Sequence, residues 1–222
     1  ETHNFAAAIK CNSAFYEAHG EEGYRALKKT CSYLSRVYPD IPVILDAKRA
    51  DIGNTNEHYA TAAFDDLECD ALTVHPYLGR AALEPILARK DRGVFVLVKT
   101  SNEGSGELQD LTLQSGEKLF EHVARQVANE WNTNGNCGVV VGATYKEELA
   151  KVRALVGDMP ILVPGVGAQG GDCALALTAG KNSRGGGILI SVSRSIIYAS
   201  SGPDFAEAAS KHVSALAASR GV

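Results

Sequence analysis

The stretch Pro42-Val43-Ile44-Leu45-Asp46-Ala47-Lys48 runs from apolar residues into an acid and an amine two positions apart. In a strand, positions i and i+2 share a face, so the Asp46 carboxylate and the Lys48 ammonium point the same way. Placing opposite charges side by side in a fold's interior costs desolvation and adds little net stability. Chemistry is the better reason for the pair: an ammonium can deliver a proton and stabilise developing negative charge beside a fixed carboxylate. A structural ion pair at the end of a strand has the same spacing. Asp51 follows in Arg49-Ala50-Asp51-Ile52-Gly53-Asn54-Thr55, past the strand in a turn-prone stretch. Spacing alone does not send it to the same pocket.

A second constellation is Pro164-Gly165-Val166-Gly167-Ala168-Gln169-Gly170-Gly171-Asp172, a glycine-rich loop between a strand and a helix. Exposed backbone N–H groups and the positive end of a helix suit a phosphate. The next strand ends in Ser193-Arg194-Ser195, which adds a cation. Gly165, Gly167 and Gly170 also satisfy GxGxxG, the dinucleotide fingerprint, but the acidic residue expected about 20 positions on is missing. Arg194 would suit a 2′-phosphate, which keeps an NADP reading open beside plain tight turns. Lys99-Thr100-Ser101-Asn102 precedes the polar segment Glu103-Gly104-Ser105-Gly106-Glu107, which reads as a lid or as an ordinary exposed loop. His75-Pro76 ends another strand, where a structural and a catalytic histidine look alike.

These residues need a scaffold that brings strand ends together. Apolar runs begin at Ala7, Pro42, Ala71, Gly93, Cys137, Pro160 and Gly187, with amphipathic stretches between them. Continuous apolar runs suit strands buried on both faces of a parallel sheet. Thr144 and Glu147 form a capping box ahead of a helical stripe through Leu149, Val152 and Leu155. The runs recur about every 30 residues, the step of a (β/α)8 TIM-type barrel. Seven units are visible, which places the first strand upstream of residue 1 and makes residues 1–222 a single barrel domain lacking its N-terminal βα unit. On that count the two phosphate-suited loops follow strands 7 and 8, where such barrels commonly bind phosphate. An open doubly wound sheet uses the same alternation and remains the rival fold.

Composition bounds the rest. The 222 residues are 45% hydrophobic and 22% charged, enough for a globular core, and the formal net charge of −4 argues against nucleic-acid binding through a basic surface. The five cysteines, Cys11, Cys31, Cys69, Cys137 and Cys173, are odd in number and unpaired in spacing. They read as reduced thiols in a cytoplasmic-type compartment, those in or beside apolar runs as small buried hydrophobes, and none suggests a metal site. No apolar run approaches the length of a membrane span.

DAKRADIGNT, Asp46 to Thr55, resembles the DxKxxDIxxT signature of the orotidine 5′-monophosphate decarboxylase family. The likeness continues through AIKCNSAFYE around Lys10, VKTSN at Ser101, VPGVGAQGG, and SVSRSIIYA at Arg194, and is greatest to the branch of longer bacterial enzymes. The resemblance implies a homodimeric βα barrel that converts orotidine 5′-monophosphate to UMP and carbon dioxide without metal or cofactor. It implies a network of Lys10, Asp46 and Lys48 completed by Asp51 of the neighbouring subunit, with Lys48 protonating C6. Asp46 would face the substrate carboxylate, and Lys10 would meet the ribose and hold the acids. Ile52 and Thr55 would reach the partner's pocket, and Ser101 would meet the pyrimidine edge. Gln169 would span base and phosphate on the loop that carries Pro164 and Gly167, and Arg194 would grip the phosphate. The family's strand 1 aspartate, which contacts the ribose, has no counterpart in residues 1–222. A Mg²⁺-dependent sugar-phosphate lyase on a similar barrel and a non-catalytic phosphoribosyl-ligand binding domain are the alternatives.

Overall fold

The computed structural model describes residues 1–144, 146–166 and 173–218. Seven strands form one sheet: β1 (Ile9–Asn12), β2 (Val43–Arg49), β3 (Ala71–Val74), β4 (Gly93–Lys99), β5 (Cys137–Val141), β6 (Ile161–Pro164) and β7 (Ile188–Ser191). Each expected apolar run contains one of them. Their spatial order is their chain order, β1 through β7, and the pairings β1·β2, β2·β3, β3·β4 and β6·β7 are parallel. A doubly wound sheet reverses its strand order at a switch point. The unbroken order found here is that of a βα barrel and removes the open-sheet rival. All residues of β3 and β5 are buried, as continuous apolar strands require.

The chain divides into two compact units. One comprises Ala7–Val98 and His122–Val139. Here α1 (Ser13–Glu17) follows β1, with the Asn12 side chain accepting from the Ala14 N–H as its cap. The amphipathic α2 (Gly20–Val37) then turns Gly23, Leu27 and Cys31 inward. After β2 comes α3 (Gly53–Ala60), which continues as a π-helical stretch Thr61–Asp66, and after β3 comes α4 (Gly79–Leu87). Leu27, Val43, Phe64, Leu72, Leu83, Ile86 and Val94 make the core. Cys11, Cys31, Cys69 and Cys137 are buried as free thiols, and the Cys31 and Cys69 sulfurs lie 3.7 Å apart. Burial raises the pKa of Cys137 to about 11, so it behaves as the small hydrophobe expected.

The other unit comprises Glu1–Ala6, Lys99–Glu121 and Val140–Val222. In it α6 (Lys146–Val156) buries Leu149, Val152 and Val156, whereas Leu155, expected on that stripe, is only half-buried. Arg153 is buried instead. Its guanidinium donates to the carbonyls of Gly180 at 2.8 Å, Gly157 at 2.6 Å, Met159 at 2.7 Å and Gly187 at 2.6 Å. One cation thus ties together carbonyls from three segments, at Gly157 and Met159, at Gly180 and at Gly187. Polar Glu103–Gln109 folds as a 3-10 turn, Glu103–Ser105, and a short helix, α5 (Gly106–Gln109). Among the described residues, no helix is long and apolar enough to cross a membrane.

Candidate active site

The end of β2 departs from a regular strand. Its register with β3 runs Ile44↔Ala71 and Leu45↔Leu72, and then resumes at Arg49↔Val74. Asp46, Ala47 and Lys48 therefore stand opposite Thr73 alone. Lys48 takes a left-handed backbone with φ +48°, rare for a residue with a side chain and a hallmark of functional strain. The two charges meet as expected from spacing, though across this break and not along a flat face. Lys48 Nζ donates to Asp46 Oδ1 at 2.6 Å, and Lys10 Nζ, from β1, donates to Asp46 Oδ2 at 2.6 Å.

The result is a carboxylate held between two ammonium groups. Asp46 is 8% exposed. Burial alone would push its pKa up, but attraction to Lys10 and the hydrogen bonds from Lys10 and Lys48 outweigh that, and the carboxyl sits below its ordinary value. Asp46 is ionised at neutral pH. The Lys48 side chain is half exposed, so its ammonium stays accessible to a ligand while anchored.

Asp51 is not part of this network within the chain. Its Oδ1 accepts the N–H of Ile52 at 2.6 Å, and among the described residues it makes no ion pair with Lys10 or Lys48. The loop is held by Asn56, a fully buried residue that the sequence reading overlooked. Asn56 accepts the Asp51 N–H at 3.0 Å and donates to the carbonyls of Asp51 and Ala82, both at 2.6 Å. Ile52 is 67% exposed and Thr55 is exposed as well, so this segment presents side chains outward. Arg49 pairs with Glu17 and stacks over the Tyr59 ring at 5.2 Å, a tie between elements. The backbone N–H of His75 donates to the Arg49 carbonyl at 3.2 Å.

The second unit carries the remaining candidates. Ser101 follows Lys99, whose buried ammonium donates to both Asp110 carboxylate oxygens at 2.8 Å and fixes the two ends of the polar segment. Gly142 lets Ser101 approach: a Cβ there would lie 2.7 Å from the Ser101 Cβ. Pro164, at the end of β6, pairs in register with Ser191 of β7, so the glycine-rich loop and the Ser193-Arg194 turn leave neighbouring strand ends. Gly165 has φ +97°, a conformation that glycine alone adopts easily. Arg194 opens α7 (Arg194–Ile197) and is exposed. Among the described residues its guanidinium has no ion-pair or hydrogen-bond partner, which leaves it able to meet an anion. Gly167, Gln169 and Gly170 lie outside the described residues. Among the described residues, no group of three or more His, Cys, Asp or Glu side chains could hold a metal ion.

Comparison with known proteins bears on this geometry. Residues 2–210 match the model of the family described as orotidine 5′-phosphate decarboxylase / HUMPS. The chain is 51% identical over 208 residues to the orotidine 5′-phosphate decarboxylase of Janthinobacterium sp. (strain Marseille), covering 94% of this chain and 76% of that relative. It superposes on Leishmania donovani OMP decarboxylase with a TM-score of 0.88 at 42% identity, covering 100% of this chain and 84% of that one. On Leishmania donovani UMP synthase the TM-score is 0.89 at 44% identity, covering 99% of this chain and 47% of the other. A buried carboxylate between two lysines on a DxKxxDIxxT strand end, a sequential parallel βα fold and these matches agree: the chain belongs to the orotidine 5′-phosphate decarboxylase family.

Proposed function

We propose that this chain decarboxylates orotidine 5′-monophosphate to UMP and carbon dioxide, the last step of de novo pyrimidine nucleotide synthesis, with Lys48 as proton donor. The observation that carries this is the Lys10–Asp46–Lys48 array. Loss of carbon dioxide breaks the bond from C6 to the carboxyl carbon and leaves the electron pair on C6. The Lys48 ammonium stabilises that charge and then gives C6 a proton, and water restores the proton to the lysine. Asp46 keeps Lys48 protonated and aimed, and its negative charge disfavours the substrate carboxylate relative to the departing neutral product. Lys10 holds Asp46 from the other side and meets the ribose.

The binding assignments follow the family likeness. Ser101 meets the pyrimidine edge, and Gln169, with Pro164 and Gly167 on its loop, serves base and phosphate. Arg194 grips the phosphate, whose remote binding energy helps hold the ring for reaction. Asp51, Ile52 and Thr55 serve the active site of a second copy, so the working form is a homodimer with shared sites. The outward Asp51 segment supports this. The reaction uses no cofactor, the compartment is cytoplasmic, and residues 1–222 act as one barrel domain.

The test follows the absorbance of orotidine 5′-monophosphate in the presence of EDTA. Loss of substrate with formation of UMP is expected. Turnover only after Mg²⁺ addition would favour the sugar-phosphate lyase chemistry, and tight binding without turnover would favour a binding domain.

A further inference from the structure

Thr73 sits mid-strand in β3, 1% exposed, in a run that reads as plain core. Its hydroxyl is committed at both ends to the candidate proton-transfer pair. It accepts the backbone N–H of Lys48 at 2.9 Å and donates to Asp46 Oδ1 at 3.0 Å. The same Oδ1 accepts the Lys48 ammonium at 2.6 Å. Backbone N–H, hydroxyl, carboxylate oxygen and ammonium therefore close a ring that begins and ends on Lys48.

The register break explains why a hydroxyl is needed there. With Asp46, Ala47 and Lys48 opposite a single residue, the β2·β3 ladder has no carbonyl in step for the Lys48 N–H. A buried N–H left without a partner is costly, and left-handed backbone at a lysine persists only when its surroundings hold it. Valine would fill the same space without offering either hydrogen bond.

We infer that Thr73 is a positioning residue for the decarboxylation: its hydroxyl locks the left-handed backbone of Lys48 to the carboxylate that aims the lysine's ammonium. The inference rests on the proposed function. Thr73 is 1% exposed and its hydroxyl is taken up by Lys48 and Asp46, so its removal should slow the chemical step without loosening the nucleotide.

The experiment compares Thr73→Val, Thr73→Ser and wild type for kcat and KM with orotidine 5′-monophosphate, with thermal unfolding of each. Thr73→Val should lower kcat about ten- to a hundredfold, the range seen when the hydrogen-bond partner that orients a metal-binding side chain is removed. KM should stay within about threefold, and Thr73→Ser, which keeps the hydroxyl, should retain kcat within about threefold of wild type. If Thr73→Val does not fold, Thr73→Ala against Thr73→Ser makes the same comparison. Full kcat in the hydroxyl-free variant, equal losses in the Val and Ser variants, or a loss confined to KM would each overturn the inference while leaving the decarboxylase reading intact. A wild-type chain that fails to consume the substrate overturns both.

Discussion

Lys10 and Asp46 lie on adjacent strands without being register partners: Asp46 stands beside Asn12, and Lys10 beside Ile44. To donate to Oδ2 at 2.6 Å, the Lys10 side chain leans forward by two residues, about 6.6 Å along the strand. A long unbranched amine can span that offset, and a shorter side chain at position 10 would not. The reach leaves Oδ1 free for Lys48 and Thr73, so each carboxylate oxygen has separate donors.

The first prediction is a pH dependence of stability centred on Asp46. Its folded pKa is lowered, so its contribution is fully present above the ordinary carboxyl value of about 3.9 and is lost as pH falls through the folded value. Asp46→Asn leaves Lys10 and Lys48 without their counter-charge and should cost on the order of 3 kcal/mol at pH 7. The gap to wild type should narrow below about pH 4 as the unfolded wild-type chain takes up the proton first. Urea unfolding of both proteins at pH 7, 5 and 3 reads this, and a gap that is constant over that range would contradict it.

Arg194→Ala should weaken UMP by about 1.5 to 3 kcal/mol, the worth of hydrogen bonds to a charged group, and leave uridine almost unchanged. Calorimetric titration of both ligands separates the cases. Equal losses for nucleotide and nucleoside would remove Arg194 from the phosphate.

Most of the scaffold was legible because the strands read as short, apolar Val, Ile and Leu runs, and all seven were found that way, although β1 and β7 are less buried than β3 and β5. The Asp46 and Lys48 pairing was legible from spacing, but the break in β2 that brings it about was not. A register shift depends on β3, and nothing local to Ala47 signals that Lys48 turns left-handed. Thr73 and Asn56 were hidden for the same reason, since their partners are 25 to 27 and 5 to 26 residues away. Arg153 gave no local signal of burial, because the carbonyls that hold it come from three separate segments, at Gly157 and Met159, at Gly180 and at Gly187.

The proposed sharing of Asp51 between two copies makes a complementation prediction. Lys48→Ala and Asp51→Ala should each be inactive alone. After subunit exchange about half the dimers are mixed, and each has one site with both residues intact, so activity should return to about a quarter of wild type. Confirmed exchange with no recovery would place Asp51 in its own subunit's site or outside catalysis.

Whether Lys48 delivers the proton that replaces carbon dioxide on C6 is read by proton NMR in D₂O with EDTA present. Wild type should convert orotidine 5′-monophosphate to UMP carrying deuterium at C6. Lys48→Ala should lose turnover by at least about 10²-fold, the lower end for a positioned general acid, while still binding UMP and remaining folded. Turnover by Lys48→Ala above a few per cent of wild type, with C6 deuterated to the same extent, would contradict delivery by Lys48.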